Sequence, residues 1–172
     1  MHRGKPRYTW RHAAVVGVLA NVASALPAGY NGDDSFYESL HTPPGAPPGW
    51  VFAPVWAANN ITTLASNLRI ANLPDSTDLR RRALAAEAGT WVLFGSFSSL
   101  FFGLRSPILG AVNTAAGFAL TAYSVRLTAR LDRRAAWLLA PRLVWLGFAS
   151  YVSTMTAVRS ADRLLGYRHK SR

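Results

Sequence analysis

Side chains that could carry acid–base, nucleophilic or metal chemistry are few and scattered in this sequence. The histidines stand at positions 2, 12, 41 and 169, and no two of them have the spacing of a metal site. Cysteine is absent, which excludes a disulfide framework and any thiolate ligand or nucleophile. Glu87, the one acid within an expected helix, follows three arginines and is interpreted as balancing charge rather than acting as a base. The sequence therefore predicts no catalytic residue, no metal site and no required cofactor, although it leaves enzymatic activity open.

Arg142 is the sharpest polar signal, because it is the single charged residue between positions 135 and 158. An arginine in an apolar helix is costly and usually faces protein, a cavity or the interface. Two interpretations stay open. The side chain could snorkel to water from near the start of its helix, or it could pair with the carboxylate of a bound ligand.

Indole rings cluster in the stretch PPGWVFAPVW, residues 47–56. Trp50 suits a lipid–water boundary, where an apolar ring and one N–H donor are both satisfied. Trp56 lies six residues further on, about 9 Å deeper at helical rise, so it either packs in the core or stacks on a flat ligand. The same two interpretations apply to Trp145.

Charged residues avoid long windows of the chain, although the net charge is +11 and 17 arginines and two lysines face eight acids. A soluble amphipathic helix carries charge on its wet face at nearly every turn, and these windows do not. Crossing the hydrocarbon takes about 20 mostly apolar residues. The windows are residues 13–32, 39–68, 88–104, 106–125 and, apart from Arg142, 135–158.

This pattern predicts an all-α integral membrane bundle of five transmembrane helices in one domain, residues 12–159, between basic tails at 1–11 and 160–172. The predicted helices cover about 12–28, 50–69, 83–104, 107–126 and 136–159. A soluble helical bundle with basic loops is the weaker alternative. Nucleic acid is not expected as a partner, because the arginines flank apolar windows and so fit the membrane edge.

The first segment has a second interpretation, because a basic stretch, an apolar stretch and Ala23-Ser24-Ala25 together resemble a cleavable signal peptide. Residues 29–49 form the longest link and are rich in glycine and proline, which stiffens it. Lysine and arginine are more numerous in the amino-terminal tail, second link and fourth link, which favours an inside amino terminus.

Small and amide side chains indicate close contacts between helices. Gly95, Ser99 and Gly103 are four apart and share one helical face, where another helix could approach closely. Such faces could serve packing within one chain or a homodimer, and both stay open. Asn59 and Asn60 could bond a neighbouring helix or a ligand.

Three blocks of this sequence resemble the TspO/MBR family, the tryptophan-rich sensory proteins related to the mitochondrial translocator protein. They are FYESLHTPPGAPPGWVFAPVW at 36–56, SLFFGLRSP at 99–107 and PRLVWLGFASYV at 141–152. The resemblance implies five transmembrane helices and a pocket under the first loop. It also implies binding of a tetrapyrrole such as haem or protoporphyrin, or of a sterol or drug-like ligand. Sensing, regulation and transport are the implied roles, with a transporter subunit or a tryptophan-dependent porphyrin-degrading enzyme as alternatives.

The resemblance assigns pocket positions residue by residue and also shows departures. Thr90, Phe94 and Phe97 stand where the family has Gln, Asn and Trp on its third helix, and Arg142 replaces a tyrosine. The pocket is therefore expected to be less polar on the third helix and to gain a cation, which could pair with a porphyrin propionate. The predicted ligand-binding residues are Trp50, Phe52, Trp56, Asn60, Phe94, Phe97, Arg142, Trp145 and Ala149.

Overall fold

The computed structural model describes residues 7–31, 34–74 and 77–167. This part of the chain is helical and contains no β-strand, so the predicted all-α class is confirmed. The helices are α1 (Trp10–Asn31), α2 (Asp34–Glu38), α3 (Phe52–Ala71), α4 (Asp78–Ser98), α5 (Pro107–Leu131) and α6 (Arg133–Arg159). A 3₁₀ turn at Gly49–Val51 leads into α3, and a π-helical segment at Ser99–Gly103 extends α4.

The five long helices form a closed ring in the order α1, α3, α6, α5, α4. The most extensive contact joins α5 to α6, followed by α4 with α5 and α3 with α6. Two of the described helices, Pro107–Leu131 and Arg133–Arg159, are long and apolar enough to cross a membrane by length and composition. Each of the five segments expected from the sequence corresponds to one long helix, although the ends differ.

Helix ends at the arginine-rich side differ most from expectation. The N-cap of α4 is Thr77, whose hydroxyl accepts from the Arg80 amide at 3.2 Å, so α4 begins five residues before the predicted start. Asp132 both ends α5 and caps α6, accepting from the amides of Arg134 at 2.8 Å and Ala135 at 3.1 Å. The arginines of the two predicted arginine-rich links therefore lie within helices.

A buried cluster seals this arginine-rich end. It is formed by Ile70, Ala83, Leu127 and Ala135, one residue from each of α3, α4, α5 and α6. Four half-buried leucines pack against it, at positions 73, 79, 84 and 131. The cluster fixes the relative level of the four helices, because its members must meet in one plane of the bundle.

The opposite end is closed by turns and by the long first link. Ser106 caps α5, Pro107 occupies its first turn, and Arg105 adopts φ 49° in the tight turn before them. The first link contains α2, and the backbone N–H of His41 donates to Ser160 Oγ at 3.0 Å. This hydrogen bond ties the link to the end of α6.

Candidate functional site

Aromatic rings from the first link, α3 and α6 form a chain of edge-to-face and tilted contacts under the Pro/Gly-rich link. The Phe52 ring lies 5.6 Å from Tyr37 and 5.8 Å from Trp145, and Trp145 lies 5.8 Å from Phe148. Tyr37 is held in place because its hydroxyl donates to the Pro47 carbonyl at 2.9 Å. Burial raises the pKa of Tyr37, so its phenol stays a neutral donor at physiological pH. All four rings are at least partly accessible, which leaves faces for a ligand.

A second aromatic set joins α3 to α4. The Phe94 ring lies 5.0 Å from Trp56 and 5.9 Å from Trp91. A third set lies where α4 passes into the π-helical segment, and there Phe97 stacks on Phe101 at 5.3 Å with 15° between the planes. Flat apolar ring surfaces are therefore present on α3, α4 and α6.

Five of the nine predicted ligand-binding residues belong to these sets. Phe52 and Trp145 belong to the first, Trp56 and Phe94 to the second, and Phe97 to the third. Ala149 is half-buried on α6, one turn beyond Trp145. Trp50 is 75% exposed on the 3₁₀ turn, as the anchoring interpretation expects, and the structure does not join it to the aromatic sets.

The amides at 59 and 60 lie inside the bundle. Asn60 Nδ2 donates to Asn21 Oδ1 at 3.3 Å, which links α3 to α1. Asn59 is also buried, and its Nδ2 has no hydrogen-bond partner among the described residues. The Trp145 Nε1 donor is likewise buried and unpaired. Unpaired buried donors are uncommon in proteins, and these two are available to an acceptor group on a ligand.

Arg142 points into the bundle and forms an ion pair with Glu87. Arg142 NH2 donates to Glu87 Oε1 at 2.6 Å, and each side chain is only 5% exposed. Arg142 NH1 also donates to Thr90 Oγ1 at 3.1 Å, and Ser124 Oγ donates to Glu87 Oε1 at 2.5 Å. The snorkelling interpretation does not describe this geometry, and the interpretation of Glu87 as a counter-charge holds with Arg142 as its partner.

The second oxygen of Glu87 is contacted by α3. With its amide nitrogen turned towards the carboxylate, Asn67 donates to Glu87 Oε2 at 2.9 Å and accepts from Trp91 Nε1 at 2.9 Å. The buried network therefore joins α3, α4, α5 and α6. It lies towards the arginine-rich end, while the first aromatic set lies towards the first link.

Sequence reasoning missed several of these residues. Tyr37 and Phe148 lie inside the quoted family blocks, so their position was a usable signal, whereas Trp91 is outside all three. Among the described residues, no group of three or more His, Cys, Asp or Glu side chains could hold a metal ion.

Comparison with known proteins places this bundle in a family. The family model described as TspO/MBR matches residues 13–159. The chain belongs to the TspO/MBR family. Tryptophan-rich protein TspO of Chlorobaculum tepidum is 29% identical over 141 residues, covering 80% of this chain and 84% of that protein. Translocator protein of Bos taurus is 28% identical over 147 residues, covering 84% and 87%.

Membership of the TspO/MBR family makes this chain an integral membrane protein, in agreement with the two helices that are apolar enough to cross a bilayer. Translocator protein of Ovis aries is also similar, with 29% identity over 119 residues. The match to the TspO/MBR model runs from α1 to the end of α6, so the aromatic sets and the buried network both lie within it.

Proposed function

We propose that this TspO/MBR protein spans the membrane five times, with α1, α3, α4, α5 and α6, and binds a hydrophobic, flat ligand within the bundle. The ligand class is a tetrapyrrole such as haem or protoporphyrin, or a sterol-like molecule. Binding serves a sensory, regulatory or transport role. α1, α3 and α4 contain 22, 20 and 21 residues, which at about 1.5 Å per residue matches a hydrocarbon core of about 30 Å.

The observation that carries this proposal is the first aromatic set. Phe52 and Trp145 come from facing helices, and Tyr37 closes the set from the link above them. Flat apolar ligands bind sites lined by aromatic rings and are oriented there by a few polar groups. The unpaired Trp145 Nε1 is one such group. Trp56, Phe94, Phe97, Asn60 and Ala149 line the proposed route deeper into the bundle, and Trp50 anchors its mouth.

Arg142 is also proposed to contribute to binding, because it lies one turn before Trp145 on α6 and carries a positive charge. Its Nε has no hydrogen-bond partner among the described residues, although NH1 and NH2 are engaged. A ligand carboxylate would have to compete with Glu87 for the same guanidinium. The contribution of Arg142 to ligand affinity is therefore expected to be smaller than that of Trp145.

Titration of the detergent-purified protein with haem, protoporphyrin and a sterol tests the proposal. Saturable quenching of tryptophan fluorescence by one class identifies the ligand. Replacing Trp145 by Ala is expected to weaken binding of that ligand at least about fivefold, since an aromatic contact contributes roughly 1 kcal/mol beyond the buried area, which is lost as well. For tetrapyrroles the ligand's own absorbance reports binding, so that loss of a tryptophan does not confuse the signal.

Trp137→Ala is the matched control, because Trp137 is 75% exposed on the same helix and lies outside the aromatic sets. Equal weakening by both substitutions, or no saturable binding of any class, would contradict the proposal. Loss of bound porphyrin absorbance that needs light and oxygen would instead favour the degrading enzyme. Ligand-dependent flux into liposomes would favour the transporter.

A further inference from the structure

Among the described residues, three of the exposed arginines at the sealed end lie next to the buried cluster and have no carboxylate partner. They are Arg82 on α4, Arg126 on α5 and Arg134 on α6. The carboxylates described at this end are already engaged. Asp132 pairs with Arg69 at 2.7 Å, and Asp78 pairs with Arg81. The positive charge of the three arginines is therefore uncompensated among the described residues.

These arginines have a fixed geometric relation to the buried cluster of Ile70, Ala83, Leu127 and Ala135. Every cluster residue directly follows an arginine: Ile70 follows Arg69, Ala83 follows Arg82, Leu127 follows Arg126, and Ala135 follows Arg134. Neighbouring residues in an α-helix are rotated by about 100° and shifted by about 1.5 Å. We call Arg69, Arg82, Arg126 and Arg134 the basic collar, since they surround the cluster at nearly one level.

The rigidity of the collar comes from what lies inside it. Three members of the cluster are at most 2% exposed: Ile70, Ala83 and Ala135. Ser66 Oγ donates to the Ala135 carbonyl at 2.9 Å, which fixes α3 against α6 just beneath the collar. Burial alone would raise the pKa of Asp132, but hydrogen bonds from Ala135, Arg69 and Arg134 lower it. Asp132 therefore stays charged and keeps Arg69 occupied.

We propose that the basic collar binds the phosphodiester groups of anionic phospholipids in the surrounding bilayer. Guanidinium groups are always charged at physiological pH and donate several hydrogen bonds, so a row of them attracts lipids whose head groups carry a net negative charge. A phospholipid brings its phosphate to the membrane edge, the level at which helices with apolar middles carry these charges. The collar is separate from the aromatic sets, so this proposal does not depend on the ligand proposed for them.

Native mass spectrometry of the full chain tests the proposal with equimolar phosphatidylglycerol and phosphatidylcholine of identical acyl chains. The protein is expected to retain phosphatidylglycerol in preference. The combined substitutions Arg82→Gln, Arg126→Gln and Arg134→Gln are expected to lower that preference at least about fivefold, since each cation near an anionic surface contributes about that factor. The control is Arg159→Gln with Arg163→Gln, at the opposite end, which is expected to leave the preference unchanged.

A second set of variants separates charge from folding. Lysine at the same three collar positions keeps the charge and is expected to keep most of the preference. Equal losses for the lysine and glutamine variants would mean a disturbed fold and would overturn the proposal. So would equal retention of the two lipids by the unmodified protein, an equal effect of the opposite-end control, or displacement of the lipid by inorganic phosphate at matched ionic strength.

Discussion

Glu87 and Arg142 form a charged pair in the buried interior of the helix bundle, where an isolated charge is costly. Removing two ions from water carries a penalty of several kcal/mol each, and only mutual attraction with full hydrogen bonding offsets it. Glu87 meets that condition through Ser124, Arg142 and the Asn67 amide. The pair is neutral as a unit, so four helices can close around it.

Breaking this pair on one side is expected to be strongly destabilising. Glu87→Gln or Arg142→Met should each lower the unfolding free energy by about 3–5 kcal/mol, because the remaining ion stays buried without its partner. The double variant should lose less unfolding free energy than the two single variants lose in sum. Unfolding of the protein in mixed micelles by a denaturing detergent measures these differences.

The exposed ion pair between Arg81 and Asp78 provides the comparison, since both side chains are mostly in water. Arg81→Met should cost about 0–1 kcal/mol. Strict additivity of the Glu87 and Arg142 single variants would contradict direct coupling between them.

Sequence patterns indicated that Arg142 was unusual but not what it contacts. Both Arg142 and Glu87 could be assigned to helices from their surroundings. Their pairing depends on the register of α4 against α6, which are not adjacent in the chain, and that register is set by side-chain packing rather than by spacing. The aromatic positions at 52, 56 and 145 were easier to find, because the quoted sequence blocks include them.

At the scale of elements, the segment after α6 acts as a cap for α5. Asp162 is fully buried, and its Oδ2 accepts from Ser106 Oγ at 2.5 Å and from the Ile108 amide at 3.1 Å. Its Oδ1 accepts from the Leu165 amide at 3.0 Å. A carboxylate at the amino end of a helix also interacts favourably with the helix dipole.

Asp162→Asn is expected to lower the unfolding free energy by about 1–3 kcal/mol near neutral pH, since a buried charge-assisted acceptor is lost. Burial alone would raise the pKa of Asp162, but hydrogen bonds from Ser106, Leu165 and Ile108 hold it below the usual 3.8. A lowered pKa in the folded state stabilises the protein above pH 3.8, and this contribution disappears as the pH falls through the folded pKa. Thermal melting is measured from pH 7 down to pH 3. The difference in melting temperature between the unmodified protein and Asp162→Asn should narrow only below about pH 4. A constant gap would contradict this account.

Helix α5 approaches the π-helical segment too closely for a side chain at position 110. A Cβ at Gly110 would lie 2.5 Å from Phe101 Cδ2 and within 3.4 Å of Phe101 Cβ, so the ring cannot simply swing away. Gly110→Ala should therefore destabilise the protein by about 1–3 kcal/mol. Gly117 lies on the same helix, where an added Cβ would meet Leu146 at an ordinary 3.7 Å. Gly117→Ala should be neutral or slightly stabilising, and equal melting temperatures for both variants would contradict the packing argument.

Element boundaries show why the arginine-rich stretches were assigned to links. Charge marks the level at which a helix leaves the hydrocarbon, but it does not end the helix, because arginine has a high helix propensity. The actual stop between α5 and α6 is Asp132 alone, an N-cap residue. The short α2 lacks a periodic apolar pattern of its own, so hydropathy could not reveal it.

On the scale of the whole molecule, the bundle separates two kinds of surface. Aromatic rings and the first link occupy one end, and the basic collar with its sealed cluster occupies the other. The Glu87–Arg142 network lies between them, where its hydrogen bonds join four of the five long helices. Entry of the proposed ligand is therefore expected from the end that carries the first link or from between helices.

The number of membrane crossings can be measured directly, because the chain has no cysteine of its own. Single cysteines placed at exposed positions report their side through labelling by an impermeant maleimide in intact and opened vesicles. Suitable positions are Ser39, Pro74, Leu104, Arg133 and Leu164. Five crossings place Pro74 and Arg133 on one side and the other three on the opposite side.

Pro74 is the decisive position. If only α5 and α6 crossed the membrane, Leu104 and Leu164 would still share a side and Arg133 would still oppose them, so these three cannot tell the two topologies apart. Pro74 would then label with Leu104, because α4, which lies between these two positions, would not cross the membrane. Five crossings require Pro74 to label with Arg133, on the side of the basic collar. That result also agrees with the cluster of Ile70, Ala83, Leu127 and Ala135, which holds the ends of α3 to α6 at a single level.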